Sequence, residues 1–140
     1  MEKSKYQQLI VFISFLGALV HIYNLGIAPM NMWPYRTIHL AFGTVLILMT
    51  KPLIKGGSSL SRILDITLIM GSIATAAYIV INYQELCVRI DLAPNTLDLF
   101  VCAAGIIILL ETTRRANGIA MPILALIFMT YALFGGGLPG

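Results

Sequence analysis

The chain of 140 residues is 59% hydrophobic and 11% charged, with a mean hydropathy of +0.90 and a net charge of +3. A water-soluble domain carries about 25% charged residues to solvate its surface, so this composition excludes an ordinary soluble protein and demands a bilayer. The apolar stretches are continuous rather than alternating, which excludes a transmembrane barrel and predicts membrane helices.

The first apolar run covers residues 9–28. It is longer than the core of a signal peptide, and no small-x-small cleavage site follows before Trp33 and Pro34, so a retained helix is expected. A short outer loop, residues 29–34, places Trp33 and Tyr35 where aromatic side chains anchor to headgroups. The second run, residues 35 to about 53, closes at Lys51-Pro52, because proline disfavours helix in the residue before it.

His21 and His39 fall on these two adjacent helices, both roughly 7–11 Å below the outer surface at about 1.5 Å rise per residue. Two imidazoles at matched depth suit the axial positions of a haem. The ordinary alternative is a hydrogen bond from each to a backbone carbonyl, or packing beside a tyrosine such as Tyr23.

Gly56-Gly57-Ser58-Ser59 forms an inner turn, with Ser61 as the expected N-cap of the third helix and Asp65 as a first-turn cap. The third run, residues 63–83, has a small-residue face at Gly71, Ser72, Thr75 and Ala76. A second outer loop, residues 82–95, is the most polar stretch, and Pro94-Asn95-Thr96 opens the fourth helix with Asp98 in its first turn. That fourth run, residues 97 to about 111, carries a matching patch at Ala103, Ala104 and Gly105. Small residues let membrane helices approach closely where lipid supplies no hydrophobic drive. The run is short and needs Thr112, Thr113 or snorkelling arginines to reach an interface.

Glu111 lies three and four residues before Arg114 and Arg115, the spacing of an ion pair on one helix face. After the Asn117-Gly118 turn, a fifth run covers residues 119–134 before a Gly/Pro cluster. Cys87 near a loop and Cys102 within a helix are not expected to pair.

Orientation follows from the basic residues. With the amino terminus cytoplasmic, Lys3, Lys5, Lys51, Lys55, Arg62, Arg114 and Arg115 lie inside and only Arg36 and Arg89 outside. Glu111, Arg114 and Arg115 then anchor the inner face. The expected fold is an all-α integral membrane protein with four transmembrane helices in a scaffold domain, residues 1–116. A fifth, connecting helix and an outer Gly/Pro segment occupy residues 117–140, so the carboxyl terminus emerges outside.

The inventory excludes several chemistries. The basic residues are scattered over separate loops, so no nucleic-acid surface is expected. There is no HExxH helix, third histidine or acidic cluster to hold a catalytic metal, and no Gly-rich phosphate loop for a nucleotide cofactor. The first helix lacks the mid-membrane acid of a four-helix proton-coupled drug exporter. No enzyme is expected.

The wording of the carboxyl-terminal third resembles a known family. Leu97-Asp98-Leu99, Leu110-Glu111-Thr112-Thr113-Arg114-Arg115-Ala116, Gly118, Met121-Pro122, Tyr131-Ala132-Leu133-Phe134-Gly135 and Leu138-Pro139-Gly140 follow in order. Looser matches are His21-Ile22-Tyr23, Arg36-Thr37-Ile38-His39-Leu40 and Asn82-Tyr83. Together they resemble the amino-terminal region of fused permeases in tripartite ATP-independent periplasmic (TRAP) transporters, notably the TAXI type. The resemblance implies a small-subunit-like (Q-type) scaffold in a bacterial or archaeal cytoplasmic membrane. It would brace a large M-type transport domain that takes up organic acids on an ion gradient, fed by a periplasmic substrate-binding protein. Substrate and ion motifs of that family lie outside these 140 residues, so the resemblance leads us to expect either a fragment or a remainder carried on a separate polypeptide. The competing expectation is a haem-bearing membrane anchor using His21 and His39.

Overall fold

The computed structural model describes residues 2–54, 59–89 and 93–134, and among these every regular element is a helix. In chain order they are α1 (Glu2–Gly26), α2 (Met32–Thr50), α3 (Ser59–Ile81), α4 (Tyr83–Arg89), α5 (Thr96–Asn117) and α6 (Ala120–Phe134). The segments Lys5–Gly26, Ser59–Ile81 and Thr96–Asn117 are long and apolar enough to cross a membrane. α2 has 19 residues but opens with Trp33-Pro34-Tyr35-Arg36 and carries His39, and it is not among the three. α6, at 15 residues, is about 22 Å long, short of the roughly 30 Å hydrocarbon core.

Several boundaries differ from the sequence expectation. The outer loop expected over residues 82–95 contains α4, a seven-residue helix supported by an i,i+4 pair between Arg89 and Glu85 at 3.4 Å. Ser61 is not an N-cap: α3 is already helical at Ser59, and Ser61 is buried inside it. Asp65 therefore sits beyond the first turn. The fourth run is not short either, because α5 continues to Asn117. Its extension is held internally, with the Thr112 and Thr113 hydroxyls donating to the carbonyls of Ile108 and Leu109 at 2.7 Å each. The inner turn at residues 56–58 and the Gly/Pro cluster at 135–140 lie outside the described residues.

The α5–α6 corner depends on one glycine. Gly118 has φ +86°, a left-handed conformation that favours glycine, and its N–H donates to the Arg114 carbonyl at 2.9 Å. At the start of α5, the Asp98 carboxylate accepts the Asn95 N–H at 2.9 Å.

α2, α3 and α5 pack on one another, α1 packs on α2, and α6 packs on α5. Val45, Leu48, Met49 and Ile108 form the core, with Leu48 only 1% exposed. Outward, α1 presents Phe12, Phe15 and Leu25, and α6 presents Phe128, Leu133 and Phe134. Such a surface suits lipid and is untenable in water.

At the three-helix junction the small residues set the spacing. A Cβ on Gly105 would stand 3.3 Å from Thr75 Cγ2, and one on Gly71 would stand 3.1 Å from Ile108 Cδ1. Ser72 is buried beside them, whereas Ala103 faces outward from the bundle. A cavity of about 120 Å³ remains here, lined by Thr44, Ser72, Thr75, Gly105 and Ile108 among others. Threonine is stiff at χ1 and yields little. Gly105→Leu is therefore expected to lower unfolding stability in detergent by about 1–3 kcal/mol; an unchanged thermal midpoint would contradict this junction.

Candidate functional site

Polar chemistry gathers at the two ends of the bundle. At one end Tyr6 of α1 donates its hydroxyl to the Met49 carbonyl at the end of α2, at 2.7 Å. The start of α3 and the end of α5 meet at this same end, which fixes the helices as successively antiparallel.

The densest cluster there is built on Glu111. Its carboxylate receives Arg114 Nε and Nη2, both at 2.8 Å, and Arg115 Nε at 2.7 Å. Sequence spacing predicts that much. Arg115 also reaches beyond its own helix, with Nη1 2.6 Å from Asp65 Oδ1 on α3 and 3.3 Å from the Lys51 carbonyl that follows α2. Lys51 returns the contact, donating Nζ to the Ala116 carbonyl at 2.8 Å. Asp65 further accepts the Leu53 N–H at 3.3 Å. It is thus not the first-turn cap that the sequence suggests but the acceptor joining α3 to α5 and to the chain after α2.

Exposure separates the two arginines. The Arg115 side chain is 4% exposed and Arg114 41%, against 14% for Asp65 and 22% for Glu111. Arg115 is the shared partner of two carboxylates, while Arg114 pairs at the rim. Lys51 and Asp65 were missed as partners. The available signal is that an acid within an apolar helix needs a cation at its own depth, and Arg115 is the basic residue at the matching end of α5.

At the opposite end His21 and His39 meet directly, Nε2 to Nδ1 at 2.5 Å, with ring centroids 4.7 Å apart. His21 Nδ1 lies 2.5 Å from the Gly17 carbonyl and donates to it. In the neutral pair His21 Nε2 is then the acceptor, and His39 Nδ1–H donates across the helices. The close approach depends on Gly17, where a Cβ would stand 3.2 Å from the Phe42 ring. Tyr35 packs edge-on to His21 at 5.5 Å, rather than the Tyr23 considered from sequence. A metal bridging two imidazoles at about 2.0 Å per bond holds their nitrogens about 4 Å apart. The observed contact leaves no such space between these rings, so the haem clamp requires α1 and α2 to separate.

Asp98 is the second junction at this end. It accepts the Tyr78 hydroxyl at 2.6 Å and lies 3.5 Å from Arg89 Nε. Cys87 and Cys102 are free and exposed. Among the described residues, no group of three His, Cys, Asp or Glu side chains is placed to hold a metal ion.

Compared with known proteins, the chain matches no family model, no curated protein and no solved structure.

The two arginines give a direct test. Arg115→Gln leaves the partly buried Asp65 without its cation, while Glu111 keeps Arg114, and is expected to cost about 3 kcal/mol. Arg114→Gln removes a rim pair and is expected to cost under about 1 kcal/mol. Equal losses in detergent unfolding would contradict the assigned roles.

Proposed function

We propose that this chain is the scaffold, small-subunit-like domain of a TRAP-type transporter of the TAXI kind, bracing a larger transport domain that takes up organic acids on an ion gradient. In this reading α1, α2, α3 and α5 are the four membrane crossings, with the amino terminus and the Glu111–Arg114–Arg115 cluster on the cytoplasmic face. α6 is the connecting helix toward the transport domain, and the scaffold itself carries no catalytic step.

The observation that carries this reading is the distribution of charge along the bundle. Lys51, Asp65, Glu111, Arg114 and Arg115 gather at one end, and Arg89 and Asp98 at the other. Between them, among the described residues, the helices offer apolar side chains, small residues and hydroxyls, with the histidine pair toward the second end. A substrate anion or coupling ion crossing this domain would meet no chain of charged partners, so the route belongs in a partner. The ordered wording of residues 97–134, in particular the arginine pair before Gly118, supports the choice of family. The exposed apolar sides of α6 suit a helix lying between two membrane domains.

Tagged protein isolated from its native membrane is expected to carry an M-type transport domain, on the same polypeptide or on a second chain, identified by mass spectrometry. Dicarboxylate uptake into liposomes is expected to require that domain and a periplasmic binding protein. Uptake by the 140-residue chain alone, or isolation without any large membrane partner, would overturn the proposal.

A further inference from the structure

α1 and α3 both lean on α2 but make little contact with each other. The result is an open-sided trough with α2 as its floor. Its first stretch, at the end carrying Tyr6 and Asp65, has a volume of about 690 Å³. Its second stretch, farther along the helices, adds about 430 Å³. Ile13, Val45 and Ile73 line both, so the two stretches are continuous. Each falls within the roughly 300–1,000 Å³ typical of small-molecule sites.

The lining is amphipathic along its length. The second stretch is wholly apolar, with Leu16, Phe42 and Val80 on its walls. The first stretch is apolar at Ile66 and Ile69 but ends among Tyr6, Arg62 and Asp65. Asp65 is neutralised by Arg115 at 2.6 Å. Arg62 is exposed and has no hydrogen-bond or ion-pair partner among the described residues. Lys5, Lys51, Arg114 and Arg115 stand at the same end, where Asp65 and Glu111 are the opposing carboxylates. The end of the trough is therefore electropositive, and Arg62 is the cation on its lining.

We propose that this trough binds one anionic phospholipid of the bilayer, its acyl chains laid along α2 between α1 and α3 and its phosphate held by Arg62. The shape accounts for the tails and the free guanidinium for the headgroup. A basic residue at the membrane surface favours an anionic headgroup through Coulomb attraction that acts within a Debye length. A wholly apolar partner helix filling the same trough would leave Arg62 unanswered, whereas an anionic lipid satisfies both the apolar lining and the guanidinium. The proposal stands on the trough alone and does not depend on the transporter reading.

The test is native mass spectrometry of the full chain released from nanodiscs holding equal phosphatidylglycerol and phosphatidylcholine. One phosphatidylglycerol per chain is expected to be retained in preference to phosphatidylcholine. Arg62→Gln is expected to cut that retention about fivefold, the ratio set by one basic residue at a membrane surface. Ile69→Trp, which fills the trough, is expected to reduce retention of both lipids, whereas Leu133→Trp on α6 is expected to leave it unchanged. Equal retention of the two lipids by the unaltered chain, or phosphatidylglycerol retention unaffected by Arg62→Gln, would overturn the proposal. So would a photocrosslinker at Ile69 that captures a protein chain instead of lipid in the native membrane.

Discussion

A guanidinium held between two carboxylates ties the ends of three helices together. Arg115 pairs with Glu111 on its own helix and with Asp65 on α3, and it touches the carbonyl of Lys51 just past α2. Buried ion pairs give limited net stability, because desolvation offsets much of the attraction. Their stronger effect here is on register. A one-residue slip of α5 would turn Arg115 by about 100° around the helix axis and strand Asp65 without its cation. The contact therefore selects one rotation of α5 against α3, and apolar side chains facing lipid offer no comparable selection.

That fixed rotation is what lets the small residues meet. With α5 set by Arg115, Gly105 faces Thr75 and Ile108 faces Gly71, so the backbones approach without clash. Close approach replaces the hydrophobic drive that lipid does not supply. α1 is held differently, by Tyr6 at one end and by the histidine contact over Gly17 and Phe42 at the other. It is fastened to α2 at both ends but not to α3, and the trough between α1 and α3 follows from that arrangement.

Much of this was legible in the sequence, for local reasons. Apolar runs gave the long helices, Asn117-Gly118 marked the corner, and the i,i+3 and i,i+4 spacing gave the Glu111 pairs. The histidines were readable as neighbours at one depth, but their direct contact was not, since it depends on how closely Gly17 admits Phe42. Asp65 was misread because the start of α3 was placed too late, which made a second-turn acid look like a cap. α4 was missed because a seven-residue polar helix has no apolar periodicity and depends on pairs such as Glu85–Arg89. The errors share a cause: helix ends in membrane proteins are polar, and composition alone marks where the apolar part stops rather than where the helix does.

The proposed scaffold role puts the Arg115 end of the bundle on the cytoplasmic face and α4 on the other, with four helices crossing between them. Single cysteines at Asn117 and Gln84, both exposed, in a chain whose Cys87 and Cys102 are replaced by serine, test this directly with a membrane-impermeant maleimide. In intact cells freed of their outer barrier, label is expected on position 84 and on position 117 only after the membrane is opened. Label on both positions from the same side, or on position 117 in sealed cells, would contradict it.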